Sequence, residues 1–192
     1  MENSKTVVTI GTGKEDSINM GDYSIGYLYI ENAKLRYTNF AGAATQYKPA
    51  GQRTITVDIP PEYAQDIIDQ GYNVKTKMPK NAGPDAEPYY QLEVHFSYWG
   101  DKRDPIIHVI SNNKMVDIYE DTVGLLDKVA IIGCDLTIKP RPYKSPIGEG
   151  ISAYLVEAYI TKRTSAFEDK YKNLMMTSVL AEETADPSEI LF

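Results

Sequence analysis

The residues best equipped for chemistry in this sequence are cations and aromatic rings that interleave between the apolar runs. Around the first long polar stretch stand Lys34, Arg36, Tyr37, Phe40, Tyr47, Lys48 and Arg53. A later run reads Lys139-Pro-Arg141-Pro-Tyr143-Lys144, and the lone Trp99 sits beside Gly100-Asp101-Lys102-Arg103. Ammonium and guanidinium groups neutralise phosphates, and flat rings stack on bases without distinguishing among them, so an unpaired polynucleotide is what such a mixture suits. Each stacked base contributes about 1–3 kcal/mol, so two or three rings supply much of an affinity.

Signals for catalysis are thin by comparison. Gly11-Thr12-Gly13-Lys14 lacks the spacing of a phosphate loop, and Glu15-Asp16 follow it directly. His95 and His108 belong to separate strand patterns without HxH or HExxH spacing, and read as structural or surface residues. Cys134 lies on the apolar face of its strand and reads as an inert core thiol. Neither Asp85, Glu87 and Glu93 nor Asp117, Glu120 and Asp121 show the spacing of a metal loop. No cofactor, metal or catalytic residue is expected, and the chain reads as a non-enzyme.

The carboxyl end carries a different signal. Asp186 and Glu189 precede Ile190, Leu191 and Phe192, and residues 180–192 hold four acids and no base. Three large apolar residues gain nothing from water at the end of a solubilising tail. An acidic stretch with an apolar tip and a free carboxylate suits a partner with an apolar pocket ringed by Lys or Arg.

The 192 residues are enough for one domain with extended ends, and one cysteine excludes an internal disulfide framework. No apolar run approaches the roughly 20 residues of a membrane helix, and the first residues lack a secretory pattern, so no membrane role and a cytoplasmic location (the host's, if viral) are expected. The net charge of −7 sits at the ends: residues 1–33 and 164–192 are acidic, whereas 34–163 carry sixteen charges of each sign. A neutral centre leaves room for a polyanion that the overall charge would repel. Fifteen Tyr against four Phe suit half-buried β surface, where a ring packs while its hydroxyl stays wet.

The elements that must position these groups are mostly strands. A short strand is expected at Thr6–Ile10 and a long one over 23–37, followed by a loop over 38–51. Residues 52–59 alternate cleanly, with Arg53, Ile55, Val57 and Ile59 on one face. Pro60-Pro61 opens a helix that Gly71 stops. Further strands are expected at 72–78, 89–99, 105–111, 114–119, 130–139 and 150–162, with Ile132, Cys134, Leu136 and Ile138 facing inward in the penultimate one. A helical turn is read over 122–129, loops over 79–88 and 139–150, and another helical turn in SAFEDKYKNL. The fold class is mainly β: an antiparallel, Greek-key barrel with short helical connectors and a flexible C-terminal tail. The division expected is an arm over 1–20, a domain over 21–164 and an acidic tail over 165–192.

In this order the segments resemble the single-stranded-DNA-binding proteins of bacterial viruses, of the oligonucleotide-binding (OB) barrel type. The resemblance spans about residues 27–163. It rests on AKLRYTNFAG, QRTITVDIPPEYAQDIIDQGYNVK, YYQLEVHFSY, EDTVGLLDKVAI, DLTIKPRPY and GEGISAYLVEAYIT, and on Phe192 behind acids. It implies an OB-like barrel that covers exposed single strands without catalysis, during replication, recombination and repair of phage DNA. It further implies a binding surface formed by the first loop, the 89–99 strand and the KPRPYK loop. The tail (Asp186, Glu189, Ile190, Leu191 and Phe192) would recruit replication and recombination proteins. Self-association stays open. Two rivals remain at this point: a structural β-protein of a virus particle that ignores nucleic acid, and a small enzyme using the carboxylates.

Overall fold

The computed structural model describes residues 5–80, 83, 86–112, 114–145 and 148–163. Twelve strands are found among them: β1 (Val7–Ile10), β2 (Ser17–Asn19), β3 (Ser24–Gly26), β4 (Leu28–Glu31), β5 (Lys34–Asn39), β6 (Arg53–Ile59), β7 (Val74–Lys77), β8 (Tyr89–Phe96), β9 (Ile106–Ser111), β10 (Lys114–Ile118), β11 (Ile131–Ser145) and β12 (Gly148–Lys162). Helix α1 (Pro61–Asp69) links β6 to β7, and a 3-10 helix (Val123–Lys128) precedes β11. The fold is mainly β with short helical connectors.

Helix α1 begins where Pro60 holds an extended ψ of 140° and Pro61 occupies its first turn. It ends at Gln70, after which Gly71 adopts φ +90°, a left-handed conformation that suits glycine. The helix buries Ala64 and Ile67 against the sheet.

Ten strands form one sheet in the order β1–β4–β11–β12–β8–β6–β5, with β7 beside β8 and the β9–β10 hairpin beside β12. β2 and β3 form a separate ribbon. Alternation in β6 and β8 places Ile55, Val57, Ile59, Leu92, Val94 and Phe96 in the core. They meet Leu28, Ile30, Ile138, Leu155 and Ile160 from β4, β11 and β12.

The sheet is mixed, which corrects the expectation of a wholly antiparallel one. β12 runs antiparallel to β11 but parallel to β8 at Ala153–Tyr154 and parallel to β9 at Glu157–Thr161. Short turns can join only antiparallel neighbours; β12 returns beside β8 after the chain has passed through β9, β10 and β11, and so can run parallel to it. Among the described residues, β1 and β5 end the strand path and do not pair with each other.

Three local expectations are corrected. The stretch 23–37 is three strands, because Gly26 ends β3 and Asn32, at φ 52°, turns the chain before β5. The register shifts between Ile131 and Gly133, so Ile132 points outward at 55% exposure while Cys134, Leu136 and Ile138 face the core. Residues 139–145 continue β11, where a loop was expected, and pair with β12 from Lys139–Tyr154 to Ser145–Gly148. Pro140 and Pro142 are tolerated because β4 pairs with β11 only at Leu136–Ile138, leaving the outer part of β11 an edge. The helical turn read in SAFEDKYKNL and the whole segment 165–192 lie outside the described residues, as does Asp85.

Candidate nucleic-acid interface

The face of the sheet turned away from the core is where most of the candidate side chains gather. Strand pairing fixes their order. Asp58 lies opposite Gln91, Thr56 opposite Glu93 and Thr54 opposite His95 across β6 and β8. His95 lies opposite Tyr154 across β8 and β12, and Tyr154 opposite Lys139 across β12 and β11. Directly opposed residues project to the same face, so one row of polar and aromatic groups crosses four strands.

At the β5 end of this row the cations are held by carboxylates. Arg36 donates from Nε and Nη2 to Asp58 at 2.8 and 2.7 Å, and its guanidinium lies 5.0 Å from the Tyr89 ring centre. Burial favours a protonated Asp58, but hydrogen bonds from Arg36 and Gln91 together with the charges of Arg36 and Lys34 outweigh it and hold the carboxyl below its usual range. Lys48 donates to Glu93 at 2.7 Å and to Thr54 Oγ1 at 2.9 Å. Arg53, on the opposite face of β6 across from Phe96, donates to Glu120 at 3.1 Å and lies 5.3 Å from the Tyr98 ring. Lys34, Arg36 and Asp58 also line a groove of about 620 Å³ whose remaining wall includes Leu126, Val129 and Ile131.

The loop over 40–52 presents Tyr47 at 84% exposure, and β5 presents Tyr37 at 64%. The loop is pinned at both ends. Asn39 Nδ2 donates to the carbonyls of Ala43 and Gln52, and the Asp127 carboxylate accepts from the Phe40 and Ala41 amides at 3.0 and 2.8 Å. Phe40 itself is a correction: its ring is 0% exposed and lies 5.9 Å from the Phe96 ring, so it is core and no base reaches it. Its apolar character, next to a pinned backbone, outweighs its position in a polar stretch.

At the β11–β12 end the cations face rings. A cleft of about 450 Å³ is lined by Tyr27, Trp99, Arg103, Lys139, Arg141 and Tyr154, among others. Arg141 lies 4.9 Å from the centre of the Tyr154 ring, and His95 packs on that ring at 5.7 Å. Among the described residues neither Lys139 nor Arg141 has a carboxylate partner. Trp99, 59% exposed, has Arg103 at 5.2 Å from its ring. The Asp104 carboxylate accepts from the Trp99 and Gly100 amides, which fixes the turn that carries the indole, while Asp101 binds Arg103. Tyr143 lies further out on the hairpin, 41% exposed, with its ring against Gly150, where a Cβ would stand 2.8 Å from the phenol oxygen. Lys144 pairs with Glu149 at 2.5 Å.

The candidate set is therefore divided. Trp99, Lys139 and Arg141 share one cleft; Tyr143 and Lys144 extend the same hairpin; Lys34, Arg36, Tyr37, Tyr47, Lys48 and Arg53 belong to the β5–β6 side. The tail residues Asp186, Glu189, Ile190, Leu191 and Phe192 lie outside the described residues. Sequence reasoning missed Tyr154, His95, Arg103 and Tyr27. The alternation of Ser152 and Tyr154 against buried Ile151, Ala153 and Leu155 was a signal that could have found Tyr154.

Other candidate chemistry takes structural roles. Gly11–Lys14 leads into a strand, β2, instead of the helix N-terminus a phosphate loop needs. Burial pushes the Cys134 thiol up to about 12, so it stays protonated. His108 is held by Asp117 at 2.7 Å and stacks on Tyr159. Among the described residues no three His, Cys, Asp or Glu side chains are grouped to hold a metal, and no helix is long and apolar enough to cross a membrane.

A protein family described as "Putative phage ssDNA-binding domain" matches residues 21–188. The chain is similar in structure to the single-stranded DNA-binding protein from bacteriophage Enc34. A C-terminal truncation of that protein aligns at TM-score 0.49 and 12% identity, covering 83% of this chain and 97% of that one. Its complex with ssDNA aligns equally well, at TM-score 0.49 and 12% identity over 82% and 97% of the two chains. The single-stranded DNA-binding protein gp2.5 of bacteriophage T7 aligns at TM-score 0.36 and 11% identity, covering 98% of this chain and 100% of that one. No curated protein matches the chain.

Proposed function

The chain belongs to the family of phage ssDNA-binding domains, and on that premise we propose that it coats and protects single-stranded DNA without sequence preference during phage DNA replication and recombination. The observation that carries this reading is the cleft in which Arg141 lies 4.9 Å from the Tyr154 ring, beside Lys139 and the exposed Trp99. Bases stack on Trp99 and Tyr154. Lys139 and Arg141 take the phosphates, since among the described residues neither has a carboxylate to displace. Tyr143 on the hairpin, with Tyr37 and Tyr47 at the other end of the row, offers further rings along the strand's course. Arg36, Lys48 and Arg53 contribute less, since each must first give up its acid. The role is binding without catalysis, in the cytoplasm of the host.

The sheet belongs to this reading as an OB-like Greek-key barrel that includes β1, paired with β4, with the acidic tail after it. Asp186, Glu189, Ile190, Leu191 and Phe192 recruit replication or recombination enzymes, the apolar tip entering a pocket on the partner while Lys or Arg at its rim meets the acids.

Trp99 is the only tryptophan, which makes the test direct. Titration with oligo-dT is expected to quench its fluorescence, with recovery on adding salt and a much smaller response to duplex. A response to neither nucleic acid, as a structural protein of a virus particle would give, contradicts the proposal.

A further inference from the structure

Glu93 stands in the middle of the outward face, and its two carboxylate oxygens are shared. Oε2 accepts from Lys48 Nζ at 2.7 Å, and Oε1 lies 3.5 Å from His95 Nε2. We propose that Glu93 limits how tightly this face holds a strand: a phosphate must displace it from Lys48, and the carboxylate so released draws a proton onto His95. The inference rests on the single-strand-binding role proposed above.

The surroundings of His95 decide the direction of the effect. Glu93 is on its own strand; Thr54 faces it from β6, Lys75 from β7, Tyr154 from β12, and Lys48 from the loop before β6. Burial pushes the imidazole's proton affinity down, Lys48 and Lys75 push it further, and Glu93 alone opposes them. The ring is therefore neutral at neutral pH, and the charged pair is Lys48 with Glu93. Burial works against the Glu93 charge too, but the Lys48 hydrogen bond together with the charges of Lys48 and Lys75 outweighs it.

A phosphate on Lys48 cancels one of the cations that disfavour an imidazolium and frees Glu93 to face His95. Both changes raise the ring's affinity for a proton in the bound state above that in the free state. By linkage, binding takes up a proton from solvent, and affinity rises as pH falls through the histidine range. A strand held only by Lys139, Arg141 and the rings would show no such dependence, because it leaves the Lys48–Glu93 pair intact.

The test uses the full-length protein with a labelled oligo-dT, whose thymines do not titrate in this range. Anisotropy at about pH 6 and about pH 8 is compared for wild type, E93Q and H95Q, with circular dichroism to confirm folding. Calorimetry in two buffers of different ionisation enthalpy counts protons. Wild type is expected to bind about three- to tenfold tighter at the lower pH, with net proton uptake. E93Q is expected to bind about fivefold tighter than wild type at the higher pH, with a weaker pH dependence. H95Q should fail to tighten at the lower pH, whatever its affinity at the higher. Folded E93Q that binds no tighter, or an H95Q pH response equal to that of wild type, overturns the inference. Wild type that fails to bind oligo-dT at either pH overturns the single-strand-binding role itself.

Discussion

Two regions of one sheet face carry the same residue types to different ends. On the β5–β6 side Arg36 has Asp58 and Lys48 has Glu93, and Arg53, from the other face of β6, has Glu120. On the β11–β12 side Arg141 lies over Tyr154, and Lys139 stands across from that same tyrosine. A paired cation offers a polyanion only the difference between two similar contacts, whereas an unpaired one offers the whole contact. The neutral charge of residues 34–163 therefore averages a cancelled region and an open one. It is the pairing, not the sum, that bears on binding.

Substitutions test that contrast. Phe40→Ala removes a core ring and is expected to lower stability by about 3–5 kcal/mol in denaturant unfolding. The protein that remains folded should bind oligo-dT as wild type does; lost affinity without lost stability would return Phe40 to the binding surface. Tyr154→Ala is expected to weaken oligo-dT binding by about 1–3 kcal/mol in anisotropy titrations, because it removes both a stacking ring and the platform under Arg141. Arg36→Ala should leave that affinity within about twofold, as its guanidinium is committed to Asp58. A larger loss would mean that a phosphate displaces Asp58 from Arg36 as well.

The smallest effect is on the acid side of stability. Asp58 and Glu93 have proton affinities lowered in the folded state, so their contribution is present above the unfolded carboxylate range and disappears as pH falls through the folded values. Melting temperature should therefore drop below about pH 4, and Asp58→Asn should flatten the drop by about 2–4 °C at most, since solvent screens this partly exposed pair. An unchanged acid profile in the variant would show that the pair contributes nothing.

Short-range patterns were readable in the sequence where one face of an element is buried. β6, β8 and α1 follow from period-two alternation and from Pro61 and Gly71, because burial writes a repeat into the residues. The outer half of β11 was not readable: Pro140 and Pro142 look like loop residues, and only knowledge that β4 leaves this segment uncovered makes them strand residues. Ile132 misled for a similar reason, since a one-residue register shift reverses which neighbours face inward. The site was half legible. Trp99, Lys139 and Arg141 stood out by type and spacing, and Tyr154 joins them across the β11–β12 hairpin, but His95 reaches them only through the parallel pairing of β12 with β8, which no local pattern encodes. Nor does any local pattern show that Arg36 and Lys48 are matched with acids from other strands.

The salt dependence of oligo-dT binding tests the account most directly, because each phosphate contact adds about 0.7 to the slope of log affinity against log salt for a single strand. Arg141→Ala is expected to lower the slope by about that amount and Arg36→Ala to leave it unchanged. The opposite pattern, a slope that falls with Arg36 and ignores Arg141, would contradict the assignment of the open cleft as the place where phosphates are held.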